Sequence, residues 1–218
     1  MTADPTLKRQ ASKVVRALRR DYSDVQCALR YDSPFQLLVA TVLSAQCTDK
    51  QVNIVSKALF EKCPTAVDLA AFPLKKLEKV IQSTGFFRNK AKNIKALSRR
   101  LMADFDGEVP QELELLVKLP GVGRKTANVV LGTAFAIPSG VVVDTHVGRI
   151  SRRLGLTRET DAVKCEQDLM RLLPRKEWID YSHRLIHHGR QVCQARRPDC
   201  DSCGFIRFCP RIGVSASS

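Results

Sequence analysis

Apolar residues recur at intervals of three and four along almost the whole chain, the spacing of helices with one buried face. Phe35, Leu38, Val39, Val42 and Leu43 share one such face. Ahead of them, Ser33-Pro34-Phe35-Gln36 supplies an N-cap, a proline at the first helical position and a capping-box glutamine. Thr48 and Gln51 repeat the capping-box pattern before a helix carrying Val52, Val55 and Leu59. Pro73 opens the next, with Leu74, Leu77, Val80 and Ile81 turned inward and Gly85 as its stop. Ile94, Leu97 and Leu101 mark a helix that ends before Asp106-Gly107. Further helices are predicted around 111–118, 124–136, 145–154, 162–172 and 178–191. The single β-like run, Val141-Val142-Val143, is too short to build a sheet, so the predicted fold class is all-α. Pro138-Ser139-Gly140 is the best internal linker.

Length and charge narrow the function. With 218 residues, 44% of them hydrophobic, the chain has material for one globular body or two small domains. Its 36 Lys and Arg outnumber 22 Asp and Glu, leaving +14 and a pI of about 9.7. A surface this basic favours a polyanion, because each phosphate it neutralises releases counterions. Arg9, Lys13, Arg16 and Arg20 fall on one helical face, which reads first as a solvated stripe. No apolar run is long enough to span a membrane, and the N-terminus has no hydrophobic signal core. A reducing, cytoplasmic location is therefore expected, on the nucleoid if the cell is bacterial. In that location the eight cysteines are not a disulfide framework.

Leu119-Pro120-Gly121-Val122-Gly123-Arg124-Lys125-Thr126-Ala127 lies between two helical patterns. Its glycines allow a tight turn and close approach of another backbone. The turn runs straight into a helix, whose free N–H groups and positive dipole end suit an anion. Arg124 and Lys125 add full charges. The bland alternative is a structural turn. Such a hairpin grips the nucleic-acid backbone without reading sequence.

Two residues nearby suggest chemistry. Positive surroundings disfavour an ammonium, so a lysine in the position of Lys125 is a candidate amine nucleophile as well as a phosphate contact. Asp144 follows the valine run at the start of a helix, where it suits an N-cap or a carboxylate stabilising a cationic sugar. His146 is a packed or capping histidine, a phosphate neighbour or a catalytic group.

Cys27, Cys47, Cys63 and Cys165 are scattered as small hydrophobes are. Cys193, Cys200, Cys203 and Cys209 instead crowd together as C-x6-C-x2-C-x5-C. Four thiolates suit zinc or iron–sulfur, and a single C-x2-C flanked by wide gaps leans to the latter. Arg196 and Arg197 lie between the first two.

The segments LLVATVLSAQCTDKQVN, LPGVGRKTANVVLGTAF and VDTHVGRISRRLGL, with the late cysteines, resemble the endonuclease III family of helix-hairpin-helix DNA glycosylases. The resemblance covers roughly residues 33–209. It implies two helical domains flanking a DNA-binding cleft. One is a barrel over 27–138 with the hairpin at about 119–125; the other joins 1–26 to 139–218 and carries a [4Fe-4S] cluster on the four late cysteines. Lys125 and Asp144 would approach from opposite sides.

By the same resemblance, Lys125 attacks C1′ of a flipped nucleotide and Asp144 assists. An oxidised pyrimidine of the thymine-glycol type leaves, and β-elimination through a lysine imine cuts the strand 3′ to the site. Gln46 and a residue of Thr84-Gly85-Phe86-Phe87-Arg88 would fill the gap in the duplex, although family members carry an aliphatic–tyrosine pair where this chain has Phe86-Phe87. The expected DNA contacts are thus Gln46, Phe86, Phe87, Arg88, Gly121, Val122, Gly123, Arg124, Thr126, His146, Arg196 and Arg197. The partner is duplex DNA holding oxidised pyrimidines or abasic sites, bound by a monomer. Two other readings remain. A mismatch adenine glycosylase shares hairpin and cluster but lacks the lysine and adds a C-terminal domain, whereas this chain stops shortly after Cys209. A non-catalytic hairpin module would use the turn for phosphate alone.

Overall fold

The structure, a computed structural model, describes residues 4–214. The outermost parts of the expected 1–26 and 139–218 segments, residues 1–3 and 215–218, lie outside it. Among the described residues every regular element is helical: α1 (Pro5–Asp21), α2 (Pro34–Leu43), α3 (Asp49–Phe60), α4 (Ala66–Ala71), α5 (Leu74–Ile81), α6 (Phe87–Phe105), α7 (Leu113–Leu116), α8 (Arg124–Phe135), α9 (Thr145–Arg153), α10 (Ala162–Leu172) and α11 (Trp178–Gln191), with short 3-10 turns at Gln82–Thr84 and Arg175–Glu177. The chain divides into two compact units. One runs from Cys27 to Ser139; the other joins the segment up to Gln26 with the chain from Gly140 onward.

In the first unit α2 is the hub. Nine of its ten residues are buried, so it is apolar all round rather than amphipathic. It packs against α8, α3 and α6, while α4 and α5 cover α6. Ser33 caps it through Gln36 N–H (3.2 Å), and Pro34 occupies the first turn. The expected reciprocal capping boxes form only in one direction. Gln36 Oε1 accepts from Asp32 N–H instead of Ser33, and Gln51 Nε2 donates to Ser83 Oγ across a turn at 2.8 Å. A complete box occurs at Thr65 and Asp68, which start α4.

The second unit has its own core. Val14, Val15 and Leu18 of α1 join Val147, Ile150, Leu169, Tyr181 and Leu185. Arg9, Lys13, Arg16 and Arg20 stay exposed on the outer face of α1. The valine run at 141–143 is buried and forms no strand; Val142 N–H is satisfied by Ser182 Oγ of α11 at 3.0 Å. The helix expected over 111–118 is confined to four residues, because no side chain caps its start and Pro120-Gly121 follows closely.

Candidate functional site

The hairpin is anchored by its apolar residues. Leu119 and Val122 are buried in the core of the first unit, and Val122 N–H returns to Leu119 C=O at 3.1 Å. Gly121 has φ +75°, and a Cβ there would lie 2.8 Å from Asn93 Cβ of α6. Backbone and packing therefore both require glycine. Gly123 differs from the expectation of a second special backbone: its φ is −89°, open to any residue, and nothing lies within 4 Å of where a Cβ would project. It is the N-cap of α8 and offers no side-chain acceptor to the first-turn N–H groups. Arg124 and Lys125 follow at once, both exposed, with Thr126 half-buried.

In the other unit Asp144 is the N-cap of α9. Its Oδ1 accepts from Val147 N–H at 2.8 Å, and the residue remains partly exposed. The capping role is thus present in the structure. His146 packs against Gly189 of α11, where a Cβ would come within 2.8 Å of its Nδ1. Arg149 Nη2 donates to that same Nδ1 at 3.2 Å.

Back in the first unit, the two adjacent phenylalanines part company. Phe86 is 64% exposed with left-handed φ +47°, whereas Phe87 packs against the core under the Arg88 guanidinium, 5.5 Å from its ring centre. Gln46 is likewise exposed and left-handed, at φ +53°. A bulky non-glycine residue in that region stores strain, and such strain gathers at functional loops.

The four late cysteines line one cavity, with Ile150, Leu154, Val192 and Phe205 among its walls. No three His, Cys, Asp or Glu among the described residues converge closely enough to hold a metal ion directly. Donors point at the sulfurs. Arg153 Nη1 lies 3.2 Å from Cys193 Sγ, Phe205 N–H 3.4 Å from Cys203 Sγ and His188 Nε2 3.6 Å from Cys203 Sγ. Burial pushes the Cys203 thiol up to about 11 and the His188 imidazole down to about 4. Tyr22 OH meets His188 Nδ1 at 2.8 Å. Sequence reasoning missed the two arginines that shape this loop. Arg153 also donates to Gln194 and Ala195 carbonyls (2.7 Å each), and Arg149 donates to Cys193 C=O at 2.8 Å. Their spacing of four on α9 was the available signal. Arg196 and Arg197 stand exposed on the segment these two fix.

Residues 39–175 match the model of the HhH-GPD superfamily base excision DNA repair protein. Endonuclease III of Synechocystis sp. is 53% identical over 208 residues, covering 95% of each chain. The chain belongs to the endonuclease III family. It is accordingly a base excision repair DNA glycosylase and AP lyase. Two solved structures of family members superpose with a TM-score of 0.89 at 46% identity: a non-covalent endonuclease III–DNA complex, covering 94% of this chain and 95% of that one, and a trapped endonuclease III–DNA covalent intermediate, covering 94% and 96%.

Proposed function

We propose that this enzyme removes ring-oxidised pyrimidines from duplex DNA and cuts the strand with Lys125 as nucleophile. The supporting observation is an exposed lysine in the first turn of α8, directly after a hairpin that gives the helix start no side-chain cap, a geometry suited to phosphate. The Nζ amine attacks C1′, the C1′–N bond breaks, and the base leaves with a proton. Opening of the sugar ring and loss of the amine proton give an imine. That imine acidifies C2′; removal of a C2′ proton expels the 3′ phosphate, and water then releases the unsaturated aldehyde from Lys125. Asp144 supplies the carboxylate that stabilises the cationic sugar as the base departs. A stacked C1′ is out of reach, so the nucleotide must first leave the helix. Gln46 and Phe86 are the side chains proposed to fill the space it vacates, with Phe87 and Arg88 as their support. Arg124, Thr126, the hairpin backbone from Gly121 to Gly123, and His146 would contact the DNA backbone.

A [4Fe-4S] cluster on Cys193, Cys200, Cys203 and Cys209 fits what surrounds them. Four soft donors line one cavity with apolar walls, and two of them receive N–H groups at sulfur, as cluster thiolates do. These four cysteines would hold the cluster, which would tie the loop and leave Arg196 and Arg197 presented to phosphate. Among the described residues no helix is long and apolar enough to cross a membrane. Damaged duplex DNA is the partner.

Single-turnover assays on a thymine-glycol duplex test the assignment. Lys125→Gln is expected to abolish strand cleavage while binding the duplex with near-normal affinity; substantial lyase activity would reassign the nucleophile.

A further inference from the structure

Lys90 is a buried cation that the mechanism does not use. It lies in the first turn of α6 and is only 5% exposed. Its ammonium donates to Leu43 C=O at 2.9 Å and to Thr84 C=O at 2.7 Å. Leu43 is the last residue of α2, and Thr84 closes the 3-10 turn Gln82–Thr84. The cation therefore sits at the negative ends of two helical segments at once. Burial alone pulls its pKa down, and an aliphatic side chain would fill the same space without that cost. What the aliphatic chain would not do is hold two carbonyls together.

Those carbonyls stand just ahead of the two strained, exposed prongs. Gln46 follows Leu43 by three residues and Phe86 follows Thr84 by two, both with left-handed φ. Nearby, Gln51 Nε2 of α3, the helix that follows the Gln46 turn, donates to Ser83 Oγ of the 3-10 turn at the surface. We propose that Lys90 is a positioning residue that locks the Gln46 turn and the Gly85–Phe86 turn into one rigid two-pronged element, so that both side chains enter the duplex together. The proposal rests on the reading that Gln46 and Phe86 fill the gap.

The test is a mutant cycle in the cluster-loaded enzyme. Gln46→Ala, Phe86→Ala and the pair are made with Lys90 intact and again in Lys90→Met. Selectivity is measured as binding to a duplex with a non-cleavable abasic analogue relative to undamaged duplex. Stopped-flow fluorescence of a 2-aminopurine beside the lesion follows insertion. With Lys90 intact, each single alanine lowers selectivity and the two effects are strongly non-additive. Lys90→Met lowers selectivity by roughly tenfold, slows the fluorescence change, makes the two alanine effects additive and leaves affinity for undamaged duplex unchanged. Lys90→Arg, which keeps the cation and several donors, restores part of the coupling. Should Lys90→Met lose the cluster absorption or helical signal, Lys90→Gln, too short to reach both carbonyls, replaces it. If neither alanine alters selectivity, the gap-filling reading falls and the proposal with it. If they do but remain equally coupled without Lys90, the proposal alone is wrong.

Discussion

Asp144 caps α9, and a single substitution can separate that cap from the catalytic role proposed for it. Asparagine keeps a side-chain oxygen for Val147 N–H and is as good an N-cap, but it has no charge to offer a cationic sugar. Asp144→Asn is expected to slow base release by about 100- to 1,000-fold in single-turnover assays, the range for one lost stabilising group, with the thermal midpoint almost unmoved. Near-normal excision would leave Asp144 as a cap alone. At this scale the sequence was readable where local rules apply. Gly121 sits where a turn demands it, and the phenylalanine pair divides into an exposed Phe86 and a half-buried Phe87. Lys90 was not readable. A lysine near a helix start reads as solvated, and only the meeting of two distant helix ends around its Nζ gives it a purpose.

The elements follow from periodicity and caps. The helices expected at 162–172 and 178–191 have those bounds, the first held by the Asp161 side chain on Lys164 N–H at 2.9 Å. Periodicity fails where an element is short or held from elsewhere. α4 has six residues and announces itself only by its Thr65–Asp68 box, and 111–118 lacks a cap to start on. The valine run at 141–143 has β character but finds its one hydrogen bond on a serine of α11, a partner no local pattern names. Ser182 is buried, so Ser182→Ala would strand the Val142 N–H away from water. A loss of about 1–3 kcal/mol in urea unfolding is expected; a loss near zero would mean that the segment leading to Asp144 is held by packing alone.

At the scale of the whole molecule, the two units have separate cores: one unit carries the hairpin, Lys125, Gln46 and Phe86, the other Asp144 and the cysteine loop. Charge pointed to DNA, and cysteine spacing leaned to iron–sulfur over zinc, before any geometry, because both depend on residue type and spacing. The arginine clamp from α9 did not, since it depends on which carbonyls meet it. Cys200→Ser is expected to lose visible cluster absorption and weaken DNA binding, with a shallower salt dependence as Arg196 and Arg197 lose their fixed placement. Unchanged affinity and stability would remove the structural role of the loop. The account as a whole turns on one covalent bond. Borohydride reduction of the enzyme with a thymine-glycol duplex, followed by peptide mapping of the trapped adduct, tests it most directly. The expected result is a single protein–DNA adduct whose nucleotide remnant is on Lys125; an adduct on another residue, or none from an enzyme that still cuts, would contradict it.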